Sequence, residues 1–179
     1  FMRLDDNLQI DSTQTILQAP PAIGTVFDST DRFTAKNQFH GGSIGVKTAM
    51  GRGCWSWDVL GKLGIGNMRQ QVIIDGQTVG TPPALPPVTV AGGLYAQPSN
   101  IGTFTRDEFC FVPELTSNIT YHVNCCLSFH FGYNIIWLSD VALTGDQIDR
   151  QVNLGQPTPP LLPAFAFRHR VYWLQGLNF

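Results

Sequence analysis

The chain has 179 residues and a formal net charge of −2, with 13% of residues charged and 11% aromatic. Soluble domains carry roughly 25% charged residues, so the chain is built for an unusually apolar environment, and it shows no basic stripe for nucleic acid. No run reaches the roughly 18 apolar residues of a membrane-crossing helix, which excludes a helical membrane protein.

Period-two alternation predicts six strands, over about 1–10, 32–49, 53–74, 106–122, 125–139 and 168–179. After the first comes a long connection, 11–31, rich in Ser, Thr and Pro. In the second strand polar Thr34, Lys36, Gln38 and His40 hold even positions, and so do apolar Ile44 and Val46 further on. The Gly41-Gly42 pair between them predicts a β-bulge that flips the phase, since glycine tolerates the dihedrals a bulge needs. A tight turn is expected at Met50-Gly51-Arg52. In the third strand Trp55, Trp57, Val59, Leu63 and Ile65 share one face, and Ser56, Asp58, Lys62, Gly64 and Gly66 the other.

A second long connection, 75–105, leads to the fourth strand. There Phe109, Phe111, Leu115, Ile119 and Tyr121 oppose Glu114, Thr116, Asn118 and Thr120. A tight turn at Val123-Asn124 introduces the fifth, where Leu127, Phe129, Phe131, Tyr133, Ile135 and Trp137 oppose Ser128, His130, Gly132 and Asn134. The third long connection, 140–167, leads to the last strand.

These strands run well past the roughly 5–6 residues usual in soluble sheets. They suit a tilted crossing of the hydrocarbon, which takes about 9–11. Long and short connections alternate strictly, as they do in bacterial outer-membrane barrels with external loops and periplasmic turns. A transmembrane antiparallel β-barrel is therefore the predicted fold class. Trp55 and Trp57 beside one turn, with Tyr133 and with Trp137 toward the other end, are the candidates for its aromatic girdles. Two features strain this account. Pro113 inside a strand requires a bulge or a local edge, and Leu60 and Ile136 on the polar face imply an apolar patch or a plug.

Six strands fall short of the roughly eight of the smallest single-chain bacterial barrels, and bare edges in lipid are too costly to persist. Residues 1–179 are thus expected to be one segment of a larger barrel. The opening Phe1-Met2-Arg3-Leu4-Asp5 lacks the apolar core of a secretory leader, so an exported chain of this kind is expected to derive from a longer precursor.

The segment 33–42 (FTAKNQFHGG), Leu60-Gly61-Lys62 through Gly66-Asn67, and 97–102 (QPSNIG) with Arg106-Asp107-Glu108-Phe109 resemble the outer-membrane β-barrel porin family of planctomycete bacteria. So do Gly132-Tyr133-Asn134, 145–150 (GDQIDR) and the ending 175–179 (QGLNF), in the family's order. The resemblance implies an outer-membrane barrel, with this chain as the C-terminal portion of a member, and it supplies no catalytic residues.

Other constellations are better read as ordinary structure. Asp146, Asp149 and Arg150 lack EF-hand spacing and predict a self-contained loop with Arg150 as the ionic partner. His122 with Cys125 and Cys126 has no second ligand pair at finger-like spacing, so turn residues are expected rather than a metal site. Cys110 is expected to face Trp137, and Cys54 to lie a whole strand from Cys126, so four free thiols are predicted. Gly64-Ile65-Gly66 has Arg69 where a dinucleotide loop needs its third glycine, and no Gly-x-Ser-x-Gly elbow is present. No catalytic, cofactor or metal site is assigned.

Function is expected on the polar face. Alternation alone assigns Lys47, Asp58, Lys62, Glu114, Asn118, His130 and Asn134 to a lumen, where they either bias ion selectivity or pair with one another to hold the wall rigid. The expected activity is passive diffusion of small hydrophilic solutes or ions through a porin-like channel in the bacterial outer membrane, with the lipid bilayer as surroundings. The alternatives are a plugged barrel with a structural or adhesive role and, more remotely, a soluble β-barrel holding an apolar ligand on its aromatic face. The proline-rich stretches 81–87 and 157–163 are open to three roles: docking other surface proteins or further copies of the chain, folding inward, or shielding the rim.

Overall fold

The computed structural model describes residues 1–18, 23–153, 155 and 158–179. Its strands are β1 (Met2–Thr15), β2 (Val26–Arg52), β3 (Trp55–Thr81), β4 (Val88–Ala91), β5 (Gly102–Asn124), β6 (Leu127–Val141) and β7 (Arg170–Asn178). They form one antiparallel sheet in the order β1-β2-β3-β5-β6-β7, a half-barrel, with β4 pairing only with β3. A 3-10 turn at Thr144–Gln147 is the only helical element described, and no described helix is long and apolar enough to cross a membrane.

All six predicted strands are present. Most run longer toward the long-loop end than the alternation suggested, and β4 is an addition inside the predicted 75–105 connection. Both tight turns lie further along than expected. Met50-Gly51-Arg52 remain in β2, and the chain reverses at Gly53-Cys54, between the paired Arg52 and Trp55. Gly53 takes the left-handed φ of +60° that this reversal needs. Val123 and Asn124 likewise remain in β5, and the turn is Cys125-Cys126. The Asn124 side-chain oxygen caps it, accepting from the N–H groups of Cys126 (2.9 Å) and Leu127 (2.8 Å). The register slips between His122 and Asn124, which leaves Val123 as an extra residue.

The predicted bulge at Gly41-Gly42 is absent, because the β2–β3 register runs unbroken from Val26–Thr81 to Arg52–Trp55. Polar Lys36 and Gln38 and apolar Ile44 and Val46 therefore share one face, whose polarity changes along β2 with no change of phase. The glycines serve a close approach instead. A Cβ on Gly66 would run into the His40 carbonyl and lie 2.5 Å from Gly41 Cα, and one on Gly41 would meet the Phe39 ring at 2.7 Å.

Pro113 sits at a local edge. It pairs in register with Leu63 of β3, while the β5–β6 ladder begins only at Glu114–Ile136. The N–H of Phe111, on the same side of β5 as the Pro113 nitrogen, donates to the Ser139 hydroxyl at 3.1 Å instead of a backbone carbonyl. The missing proline donor thus falls where β6 has left the ladder.

One face of the sheet is covered by its own loops, and it is called the inner face. Phe39, Met68, Cys110, Val112, Leu138 and Val141 form one apolar cluster on it, against which Ile136 packs. Phe33, Val72, Ile74, Ala96 and Ala142 form a second, nearer the long-loop end, joined by Phe104, Phe165 and Phe167. Cys110 belongs to this inner packing. Its Sγ is 3.4 Å from the Ser139 hydroxyl, so it does not face Trp137, which projects from the opposite side.

Candidate functional site

The inner face has two unlike halves. Toward the tight turns it is polar and uncovered, and the residues assigned there by alternation project on this side. Lys62 Nζ lies 3.2 Å from Glu114 Oε1 across β3 and β5. The Asn118 amide donates to Asp58 Oδ2 at 2.9 Å, and Thr120 Oγ1 is 2.9 Å from His130 Nδ1. Lys47 stands opposite Leu60 in the β2–β3 register. The Asn134 amide fills the space beside Gly176, and the amides of Asn118 and Asn178 converge on Gly132, where any Cβ would collide with both. Glycine at 132 and 176 therefore lets polar side chains lie flat along the wall. Lys62 and Asn118 are thus paired across strands, and the seven predicted residues include equal numbers of Lys and acidic groups.

Toward the long-loop end the inner face is roofed. The buried Asp31 carboxylate accepts from three consecutive backbone N–H groups, Leu94 (3.1 Å), Tyr95 (3.2 Å) and Ala96 (2.8 Å), and Gly93 has no Cβ where that carboxylate sits. A carboxylate nested in successive N–H groups makes strong, charge-assisted bonds. Asn37 clamps the β6–β7 connection reciprocally, donating to the Ala142 carbonyl and accepting from its N–H, both at 2.9 Å. Asp6 accepts from both the N–H and the hydroxyl of Thr144. Ser99 Oγ donates to the Pro163 carbonyl at 2.8 Å, which ties the second proline-rich stretch to the inner loop. Pro157 of that stretch lies outside the described residues. The first stretch behaves differently: 82–87 is the tip between β3 and β4, with Leu85 exposed.

Below this roof sits a charged cluster that alternation did not single out. Arg106 donates to Gln70 Oε1 at 2.7 Å, lies 3.3 Å from Glu108 and 3.2 Å from His169 Nδ1, and stacks over Phe167. Its even position in β5 was the available signal. Nearby, a cleft of about 790 Å³ is lined by residues that include Asp146, Asp149, Arg150, Arg168 and Arg170. The ionic partner of Asp146 is Arg170 rather than the expected Arg150, because β7 brings Arg170 alongside the 3-10 turn. Asp149 accepts from the N–H groups of Ala164 and Gln151, which hold its carboxyl below the usual carboxylate range. Among the described residues, no group of three or more His, Cys, Asp or Glu is placed to hold a metal ion.

The outer face carries an apolar belt. Ile44, Val46 and Met50 on β2, Trp55, Trp57 and Ile65 on β3, and Phe109, Phe111, Leu115, Ile119 and Tyr121 on β5 are all exposed. Phe129, Phe131, Trp173 and Leu177 extend the belt across β6 and β7. Beyond it, toward the long loops, the same face turns polar: Arg32, Thr34, Lys36, Gln38 and His40 on β2, Asn67, Arg69 and Gln71 on β3. Here Arg3 donates to Asp5 and holds its carboxyl below the usual range. All four tryptophans lie on the outer face, Trp55 and Trp57 beside the Gly53-Cys54 turn and Trp137 paired with Trp173 toward the other end. Tyr133 sits mid-strand, its hydroxyl donating to Gln175 at 2.7 Å. Trp173 completes a pair that sequence reading missed. The aromatic face thus points away from the covered side, the reverse of what a soluble barrel holding an apolar ligand requires.

The family model described as Putative beta barrel porin-7 matches residues 1–179. No curated protein and no solved structure matches the chain.

Proposed function

From the chain's membership of this beta barrel porin family, we propose that it forms part of the wall of a bacterial outer-membrane barrel through which small hydrophilic solutes diffuse passively. The observation that carries this reading is the division of one continuous sheet into an exposed apolar outer belt and a polar inner wall over the same stretch of strand. From Trp55 to Ile65 is ten residue steps, and at about 3.3 Å each with a tilt near 45° that is about 23 Å of depth, close to the apolar band of such barrels.

Among the described residues, each of β1 and β7 has a strand neighbour on one side only. Closure in lipid requires further strands beyond them, because an unpaired backbone edge costs several kcal/mol per group in hydrocarbon. The chain is accordingly one segment of the barrel. Solutes would enter from the tight-turn side along the amide-rich wall and meet the constriction made by the inner loops. Lys47, Asp58, Lys62 and Glu114, with no excess of either sign, would give a weak ion preference.

Inward packing of 92–101, 142–148 and 163–167 supports a second reading, a plugged barrel with a structural or adhesive role. In that case the exposed 82–87 tip would be the surface offered to a partner. Conductance of the full-length protein in a planar bilayer separates the two. Ohmic steps whose reversal potential in a salt gradient moves toward cation selectivity in Lys62→Glu support a conducting lumen. Correctly inserted protein that stays silent would leave the plugged barrel.

A further inference from the structure

The turn between β5 and β6 consists of two adjacent cysteines. Cys125 and Cys126 are both exposed, and their Sγ atoms stand 3.6 Å apart. Neither belongs to the inner wall or to the inner apolar clusters. We propose that the pair is a redox site that closes to a vicinal disulfide by exchange with a disulfide-bearing oxidant, either a thiol–disulfide oxidoreductase or a small-molecule disulfide. Which compartment supplies that oxidant rests on the outer-membrane reading, under which the tight turns face an oxidising periplasm. The chemistry of the pair does not depend on it.

The step balances. One thiol loses its proton, its thiolate attacks the oxidant's disulfide, and a thiolate leaves as the mixed disulfide forms. The second thiolate then attacks the sulfur of the first cysteine, forming the Sγ–Sγ bond and expelling the oxidant's other thiolate. Two electrons reduce the oxidant to two thiols, one dithiol in an oxidoreductase and two molecules for a small-molecule disulfide, and these take up the protons lost by Cys125 and Cys126.

The other cysteines are poor competitors. Cys110 is wholly buried in the inner cluster, and Cys54 occupies the separate turn between β2 and β3, its carbonyl accepting from the His122 N–H at 2.8 Å. Adjacent Cα atoms are about 3.8 Å apart across a trans peptide, short of the roughly 4.4 Å at which ordinary disulfides begin. The closed ring is therefore strained, and strained, exposed disulfides have the higher potentials of labile, regulatory bonds. This makes the pair a reversible element rather than a staple. Closure acts directly on the turn that Asn124 caps, beside the extra residue Val123 and with three rungs between it and the Thr120–His130 pair at the mouth of the inner wall.

The test uses the full-length protein in membranes, quenched in acid, alkylated with N-ethylmaleimide under denaturing conditions and digested for mass spectrometry. The peptide containing Cys125 and Cys126 is expected two hydrogens lighter and unalkylated, taking two adducts only after reduction, while Cys54 alkylates directly. In Cys125→Ser the remaining Cys126 should alkylate without reduction or carry a reducible small-molecule adduct. Alkylation of both thiols without reduction, even after incubation with glutathione disulfide, would overturn the proposal, and so would a linkage of either to Cys54. The wild-type readout needs no variant, so it stands however well Cys125→Ser folds. A fully alkylating pair in a conducting barrel overturns this inference alone, whereas a closed pair in a silent barrel overturns the channel alone.

Discussion

Replacing Leu115 by arginine puts a cation at the centre of the outer belt. Leu115 is six residues from Phe109 and six from Tyr121, the belt's ends on β5, and its side chain is exposed on the outer face. At about 3.3 Å per residue and a tilt near 45°, six steps span about 14 Å of depth, which centres Leu115 in a hydrocarbon core about 30 Å thick. Arginine at that depth in a barrel costs about 2–4 kcal/mol, against about 0–1 near the interface. Thr105 lies on the same face of the same strand, four residues beyond Phe109 and so about 9 Å past the belt. Urea unfolding of the full-length protein from lipid vesicles should therefore show Leu115→Arg destabilised by about 2–4 kcal/mol and Thr105→Arg by at most about 1. Equal costs at the two positions would refute the assignment of the belt to lipid.

Asp31→Ala strips the acceptor from three N–H groups, each worth about 1–3 kcal/mol when buried and unpaired, so the 92–101 loop should leave the inner face; single-channel conductance is expected to rise. Gly66→Ala forces a methyl into the His40 backbone and should cost about 1–3 kcal/mol in unfolding titrations, whereas Gly61→Ala, with nothing within 4 Å of the new carbon, should be near neutral. Asp149 has a depressed folded pKa, so the support its carboxylate gives to the Gln151 and Ala164 amides is complete above the unfolded value of about 4 and fades as pH falls through the folded value. The protection factor of the Ala164 amide, taken against the intrinsic exchange rate at each pH, should accordingly be high at neutral pH and fall in acid, and be low throughout in Asp149→Ala.

Much of this architecture is legible in the chain because a strand that separates two media must alternate with period two. Each of the six strands carries that signal, and along Trp55–Ile65 and Phe109–Tyr121 the polarity assigns inner and outer faces as the structure does. The same rule misleads on β2. Crossing from water into the apolar belt changes outer-face residues from Lys36 and Gln38 to Ile44 and Val46 without any change of phase, and two glycines at the boundary imitate a bulge. The turns shifted because Gly51 and Asn124 look like turn residues, whereas the positive φ falls on Gly53 and Asn124 caps a turn that it does not occupy. The roof over the inner face leaves no local trace. Asn37 and Ala142 are 105 positions apart, and Asp31, at the end of the expected 11–31 connection, reads as a surface residue until three N–H groups from a distant loop surround it.

The central claim is that one face of this sheet meets lipid and the other water, and the four tryptophans test it directly because all of them are on the outer face. Fluorescence of the full-length protein in vesicles should be compared with that of a form in which Trp55, Trp57, Trp137 and Trp173 are phenylalanine, and the difference assigned to these four. The account predicts strong quenching of that difference by lipids brominated along the acyl chain and little by aqueous iodide. Strong iodide quenching with no response to brominated lipid would place the aromatic belt in water and contradict it.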